Sequence, residues 1–141
     1  MRSIVLDTNS LLICISSRSK FHSVWKAFLN EEFTLCVSNE IMNEYEEILA
    51  QKVSPQFAEK IIYIILNSNN TIFANPYFHF GLITNDPDDN KFVDCAIVSN
   101  ADYIVSQDAH FNVLKKIDFP KVNVIKIEEF AKYFFSSSKN Y

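Results

Sequence analysis

Glycine is almost missing from this chain: Gly81 is the only one in 141 residues. Neither a GxGxxG fingerprint nor a P-loop can be written with a single glycine, so the common nucleotide-cradling motifs are excluded. Cysteine is scarce too. Cys14, Cys36 and Cys95 are widely spaced among apolar neighbours, and an odd number without CxxC spacing makes neither a disulfide framework nor a zinc signature. Reduced core thiols are expected, in keeping with a reducing cytoplasm. No apolar run approaches the roughly 18 residues that span a membrane. The chain enters its first strand at once, with no stretch that reads as a signal peptide. An excess of positive charge is missing as well. The net charge is −4, which argues mildly against a nucleic-acid binder of the usual basic kind. That argument weakens if acids gather around bound cations, because a cation inverts the local field.

What the chain has in quantity is apolar. Hydrophobic residues make up 48%, with 13 Phe and 6 Tyr, enough for the core of one domain over residues 1–135. The tail from Ser136 to Tyr141 is expected to fray. The opening run Ser3-Ile4-Val5-Leu6 does not alternate, as in a parallel strand buried on both faces. It stops at Asp7, followed by Thr8-Asn9-Ser10, which can turn the chain and start a helix. Taken alone, Asp7 is either a helix cap or a reactive carboxylate at the ligand-binding rim of an α/β sheet.

Helical spacing follows over Leu11–Ile15 and Phe21–Leu29, then a short strand over Phe33–Val37 closed by Ser38-Asn39. Helices are predicted over Ile41–Lys52 and from Pro55 to Leu66, and a small strand over Thr71–Phe73. A loop from Asn75 to Asn90 leads to a helix over Lys91–Asn100, a buried strand over Tyr103–Ser106, a last strand over Val122–Ile127 and a last helix over Glu128–Phe135. Strands alternating with helices give a three-layer α/β/α sandwich on a mostly parallel sheet.

In that order, two strand ends and one helix start carry aspartate: Asp7, Asp108, and the run Asp86-Pro87-Asp88-Asp89 with Asp94 beyond it. All would meet on one rim. Carboxylates forced together need raised pKa values or a cation. Oxygen ligands without a histidine or cysteine set suit Mg²⁺ or Mn²⁺. His22, His79 and His110 share no ligand spacing, although His110, beside Asp108, has the best claim to a secondary role.

Asp7-Thr8-Asn9, Ser38 to Glu44, Asp88-Asp89-Asn90-Lys91-Phe92 and Val105-Ser106-Gln107-Asp108, in that order from Ser3 to about Phe130, resemble the PIN domain. The likeness is to the branch of VapC-type ribonuclease toxins. It implies an acidic quartet of Asp7, Glu44, Asp89 and Asp108 binding Mg²⁺ or Mn²⁺, with Thr8, Asn9 and Ser106 orienting the acids. Glu40, four residues before Glu44 on the same helix face, could replace it. Asp94 is a candidate fifth acid, Asp88 is read as the helix cap, and Asp86 as shaping the turn at Pro87. Lys91 is either a phosphate contact or a solvated lysine.

The expected activity is hydrolysis of RNA phosphodiesters by water activated by one or two divalent ions. Scattered lysines such as Lys20, Lys26, Lys91 and Lys115 would meet the phosphates. The resemblance further implies a cognate antitoxin over the acidic rim, homodimerisation as is common in the family, and no membrane association. Two other classes remain open. One is a PIN-like module that binds RNA or protein without cutting. The other is an Asp-based phosphotransfer domain, disfavoured because Asn9 stands where a haloacid-dehalogenase-like protein wants a second Asp, and because no convincing receiver-type pair of Asp and Lys is found.

Overall fold

The computed structural model describes residues 1–77, 79–84 and 87–135. The expectations for Asp86 and for the tail 136–141 lie outside these residues. Five strands form one sheet: β1 (Ser3–Leu6), β2 (Thr34–Val37), β3 (Thr71–Phe73), β4 (Tyr103–Val105) and β5 (Val124–Ile125). Their order is β3-β2-β1-β4-β5, and every pairing is parallel. β1 is central, with Ile4 opposite both Leu35 and Tyr103 and Leu6 opposite Val105. Ile4, Val5 and Leu6 are sealed from solvent, worth roughly 1.5–3 kcal/mol for each side chain. This explains why the run does not alternate.

Among the described residues, six α-helices cover the sheet: α1 (Thr8–Ile15), α2 (His22–Leu29), α3 (Asn39–Lys52), α4 (Pro55–Leu66), α5 (Asn90–Ser99) and α6 (Ile127–Phe135). The three-layer α/β/α architecture is as predicted. Starts and stops follow local chemistry. Ser38 and Ser54 cap α3 and α4 through their hydroxyls, with Pro55 in the first turn of α4. Asn100 ends α5 in the left-handed conformation that asparagine tolerates. A cluster of aromatic residues packs in the core: Phe33, just before β2, stacks edge-on with Phe130 and lies against Phe28 and Phe134, tying α2 and α6 to the sheet.

Several boundaries shift by one to three residues from expectation: α1 begins at Thr8 and α3 at Asn39, where Asp7 and Ser38 cap them, β5 is only Val124–Ile125, and α6 starts at Ile127, whose N–H donates to the Gln107 side chain. Residues Ala109–Lys116 form a 3-10 helix that periodicity did not announce. Its buried residues, Phe111 and Leu114, are three apart, the repeat of that helix. All three cysteines are free and buried, and burial pushes the Cys14 and Cys95 thiols up to about 12. They are inert core thiols.

Candidate metal centre

The strand order reverses at β1. From it the chain proceeds to β2 and β3 on one side and returns to β4 and β5 on the other. Where order reverses, the crossovers diverge and leave a crevice beyond the carboxyl ends of the strands. Asp7 follows β1 at that crevice, and Ser106 to Asp108 follow β4.

Asp7 proves to be both cap and candidate ligand. Its Oδ1 accepts the N–H of Ser10 at 2.8 Å, which starts α1. Its Oδ2 accepts the hydroxyl of Ser106. Its backbone N–H continues the ladder to the carbonyl of Val105 at 3.2 Å, and Ser10 donates its hydroxyl to the same carbonyl at 3.0 Å. The residue is buried. Burial pushes its carboxyl pKa up; the hydrogen bonds from Ser106 and Ser10 oppose the rise, and the charge of Asp108 adds to it. A carboxylate so placed favours a cation beside it.

Across the crevice, the Ser106 hydroxyl accepts the N–H of Asp108 at 2.9 Å. Asp108 Oδ1 in turn accepts the N–H of His110 at 2.9 Å, opening the 3-10 helix. Asp89 arrives from the far side of the sequence, at the end of a 3-10 turn over Pro87–Asp89 that leads into α5. His110 Nδ1 lies 3.2 Å from Asp89 Oδ2 and 3.3 Å from Asp108 Oδ1. One ligand atom from each of Asp89, Asp108 and His110 falls within 4.8 Å of the others. Two carboxylates and an imidazole this close fit a divalent cation.

Glu44 stands apart from that trio. Its Oε2 accepts the Thr8 hydroxyl, and its Oε1 pairs with Lys91 Nζ at 2.7 Å. Burial works against the Lys91 charge, but the hydrogen bond and charge of Glu44, with Asp88 and Glu40 beyond, outweigh it and raise the lysine pKa. Lys91 is thus neither solvated nor free for phosphate. Glu40 is exposed, as are Glu46 and Glu47. Tyr45, beside Glu44, is fully buried and donates to the Leu6 carbonyl, anchoring α3 to the end of β1. Asp94, also buried, turns elsewhere: Oδ2 meets His79 Nδ1 at 3.0 Å and Oδ1 accepts the Phe80 N–H at 3.1 Å. Asn9 is exposed, and Ser10 rather than Asn9 supports Asp7. Asp88 does not cap α5; the N-cap position falls to Asp89, with no side-chain cap bond.

Comparison with known proteins bears on the family and the fold. The PIN domain family model matches residues 3–110, and the chain belongs to that family. No curated protein sequence matches it. Among solved structures, VapBC2 from Rickettsia felis, bound to a DNA fragment from its promoter, has a TM-score of 0.61 at 16% identity, over 88% of this chain and 98% of that one. DNA-bound VapBC from Salmonella typhimurium has a TM-score of 0.55 at 13% identity, over 90% of this chain and 99% of that one. The PIN domain endonuclease Utp24 has a TM-score of 0.51 at 14% identity, over 88% and 84%. At these identities the likeness is one of fold.

Proposed function

We propose that this protein is a divalent-metal-dependent endoribonuclease that hydrolyses RNA phosphodiesters, acting as the toxin of a toxin–antitoxin pair in the cytoplasm. The observation that carries the reading is the convergence of Asp89, Asp108 and His110, with the buried Asp7 joined to Asp108 through Ser106. Asp89 and Asp108, with His110, would hold Mg²⁺ or Mn²⁺. When bound, the ion would lower the pKa of water and stabilise charge on the phosphoryl oxygens. The chain's own part is placement. Ser106 fixes Asp7 against Asp108, the turn over Pro87–Asp89 presents Asp89, and Thr8 holds Glu44 at the edge of the crevice. Asp7 contributes a poorly solvated negative charge that makes a neighbouring cation favourable. The family likeness adds an antitoxin over this rim and a homodimer as partners.

The test is RNA cleavage by the wild type and by Asp7→Asn, each with Mg²⁺ and with EDTA. Cleavage should require both Asp7 and the metal; unchanged cleavage in either arm overturns the reading. A second reading, a PIN-like module that binds without cutting, is favoured by one observation: Lys91 neutralises Glu44. Calorimetry with Mn²⁺ separates the two, since such a module should have no tight site.

A further inference from the structure

The acidic rim has a basic neighbour. Residues 115–126 contain four lysines and one aspartate, a local charge of +3 in a chain of net −4. A cavity of about 190 Å³ opens beside Asp108, and its walls include Gln107, Asn112, Lys115, Lys126 and Glu129. A second, of about 380 Å³, lies along β5 and is lined by Lys115, Lys121 and Tyr103 among others. Lys115 and both residues of β5 line the two cavities in common, so the two adjoin as a track along the edge strand. Its wall is preformed: Gln107 Nε2 donates to Glu128 at 2.9 Å while its Oε1 accepts the Ile127 N–H at 3.1 Å, pinning α6 to the end of β4.

We propose that Lys126, Lys115 and Lys121 bind successive phosphates of the RNA strand as it leaves the metal centre along β5. This rests on the ribonuclease reading. The charge supports a polyanion. The track begins at Asp108, a candidate metal ligand, so a strand cut there has its flanking phosphates within its reach. Of the lysines singled out from sequence, only Lys115 lies here. Lys91 is taken by Glu44, Lys20 precedes α2, and Lys26 lies on it.

The experiment measures binding of a fluorescent mixed-sequence RNA of about twelve nucleotides as a function of salt, in EDTA so that the RNA survives. The variant is Lys115→Gln/Lys121→Gln/Lys126→Gln. The control, Lys26→Gln/Lys52→Gln/Lys60→Gln, changes net charge equally on the exposed surfaces of α2, α3 and α4. The track variant should lower the slope of log K against log salt by about two and weaken low-salt binding roughly tenfold or more. The control should match the wild type. Equal slopes for both variants overturn the track, as does loss of binding to a fluorescent acidic peptide with RNA binding intact, which would make it a protein-docking site. Failure of the wild type to cleave RNA, with a normal effect of the track variant on binding, would instead sink the nuclease reading and leave the track standing.

Discussion

Ser106 donates its hydroxyl to the buried carboxylate of Asp7 across 99 residues of sequence, while the same oxygen accepts the N–H of Asp108. One small side chain therefore joins the ends of β1 and β4. It supplies part of the stabilisation that a buried negative charge at Asp7 would otherwise lack. The rest of that stabilisation is available from a cation.

This makes the stability of the metal-free protein depend on pH in a particular direction. The Asp7 carboxyl is raised above its ordinary 3.8 when folded. Between 3.8 and the folded value, the native state holds a proton that the unfolded chain has released, so stability falls as pH climbs through that window. Above the window the penalty is complete. Asp7→Asn removes it, so in EDTA at neutral pH the variant should melt on the order of a few degrees higher than the wild type. The two should converge below the ordinary carboxylate pKa. Adding Mn²⁺ should raise the melting temperature of the wild type more than that of the variant, by mass action. Thermal melts across pH check both signs, and a variant melting lower at neutral pH in EDTA refutes the argument.

Lys91 and Glu44 give opposite effects on stability and on metal. The pair is partly screened, with side-chain exposures of 15% and 23%. Lys91→Met keeps the aliphatic stem and deletes the charge, so destabilisation should be modest, about 1 kcal/mol by urea titration. The raised lysine pKa means this contribution is present below 10.5 and is lost only as pH rises through the folded value. The same change frees Glu44 for a cation, so Mn²⁺ affinity measured by calorimetry should rise a few-fold. A fall would mean that Lys91 holds Glu44 in place rather than competing for it.

How far the sequence revealed all this depends on the range of each interaction. The β1 run, Asp7 and Asp108 are local patterns of an apolar strand ended by an acid, and they stand where expected. The caps Ser38 and Ser54 are equally local. The pairing of Glu44 with Lys91 joins residues 47 apart and depends on how α3 meets α5, which periodicity does not encode. Asp94 misled for a related reason. Its spacing from Asp89 allowed a shared site, but the 79–80 segment approaches that flank of α5 and takes both carboxylate oxygens. The place of His110 was half visible, since it lies two residues after Asp108 in the sequence, while its approach to Asp89 needed the fold.

Asp94 should behave as a structural acid. His79 is held above its ordinary 6.5 by the hydrogen bond and then by the charge of Asp94, with burial opposing. Its pairing therefore contributes below 6.5 and is lost as pH rises through the folded value. The Phe80 bond does not need the histidine proton. Asp94→Ala should then destabilise by roughly 1–3 kcal/mol, since it strips the Phe80 N–H of its acceptor. His79→Ala should have its effect mainly in acid. Hydrogen exchange at the Phe80 amide separates the two: fast in Asp94→Ala, still protected in His79→Ala. Mn²⁺ affinity should be little changed in either, and a loss of tenfold or more in Asp94→Ala would return Asp94 to the metal site.

His110 should set which metal is preferred. An oxygen-only set suits Mg²⁺, which holds its water tightly and gains little from an imidazole, whereas nitrogen donors favour transition ions. With His110 Nδ1 beside Asp89 and Asp108, the wild type should bind Mn²⁺ over Mg²⁺ by a wide margin. His110→Ala removes one donor and should narrow that margin by about tenfold, chiefly by weakening Mn²⁺. His110→Asp replaces nitrogen with oxygen and should tip the balance further toward Mg²⁺. Calorimetric titration of both ions into the three proteins reads this directly, without depending on cleavage. Equal margins in all three would show that the imidazole only braces the two carboxylates and never faces the ion.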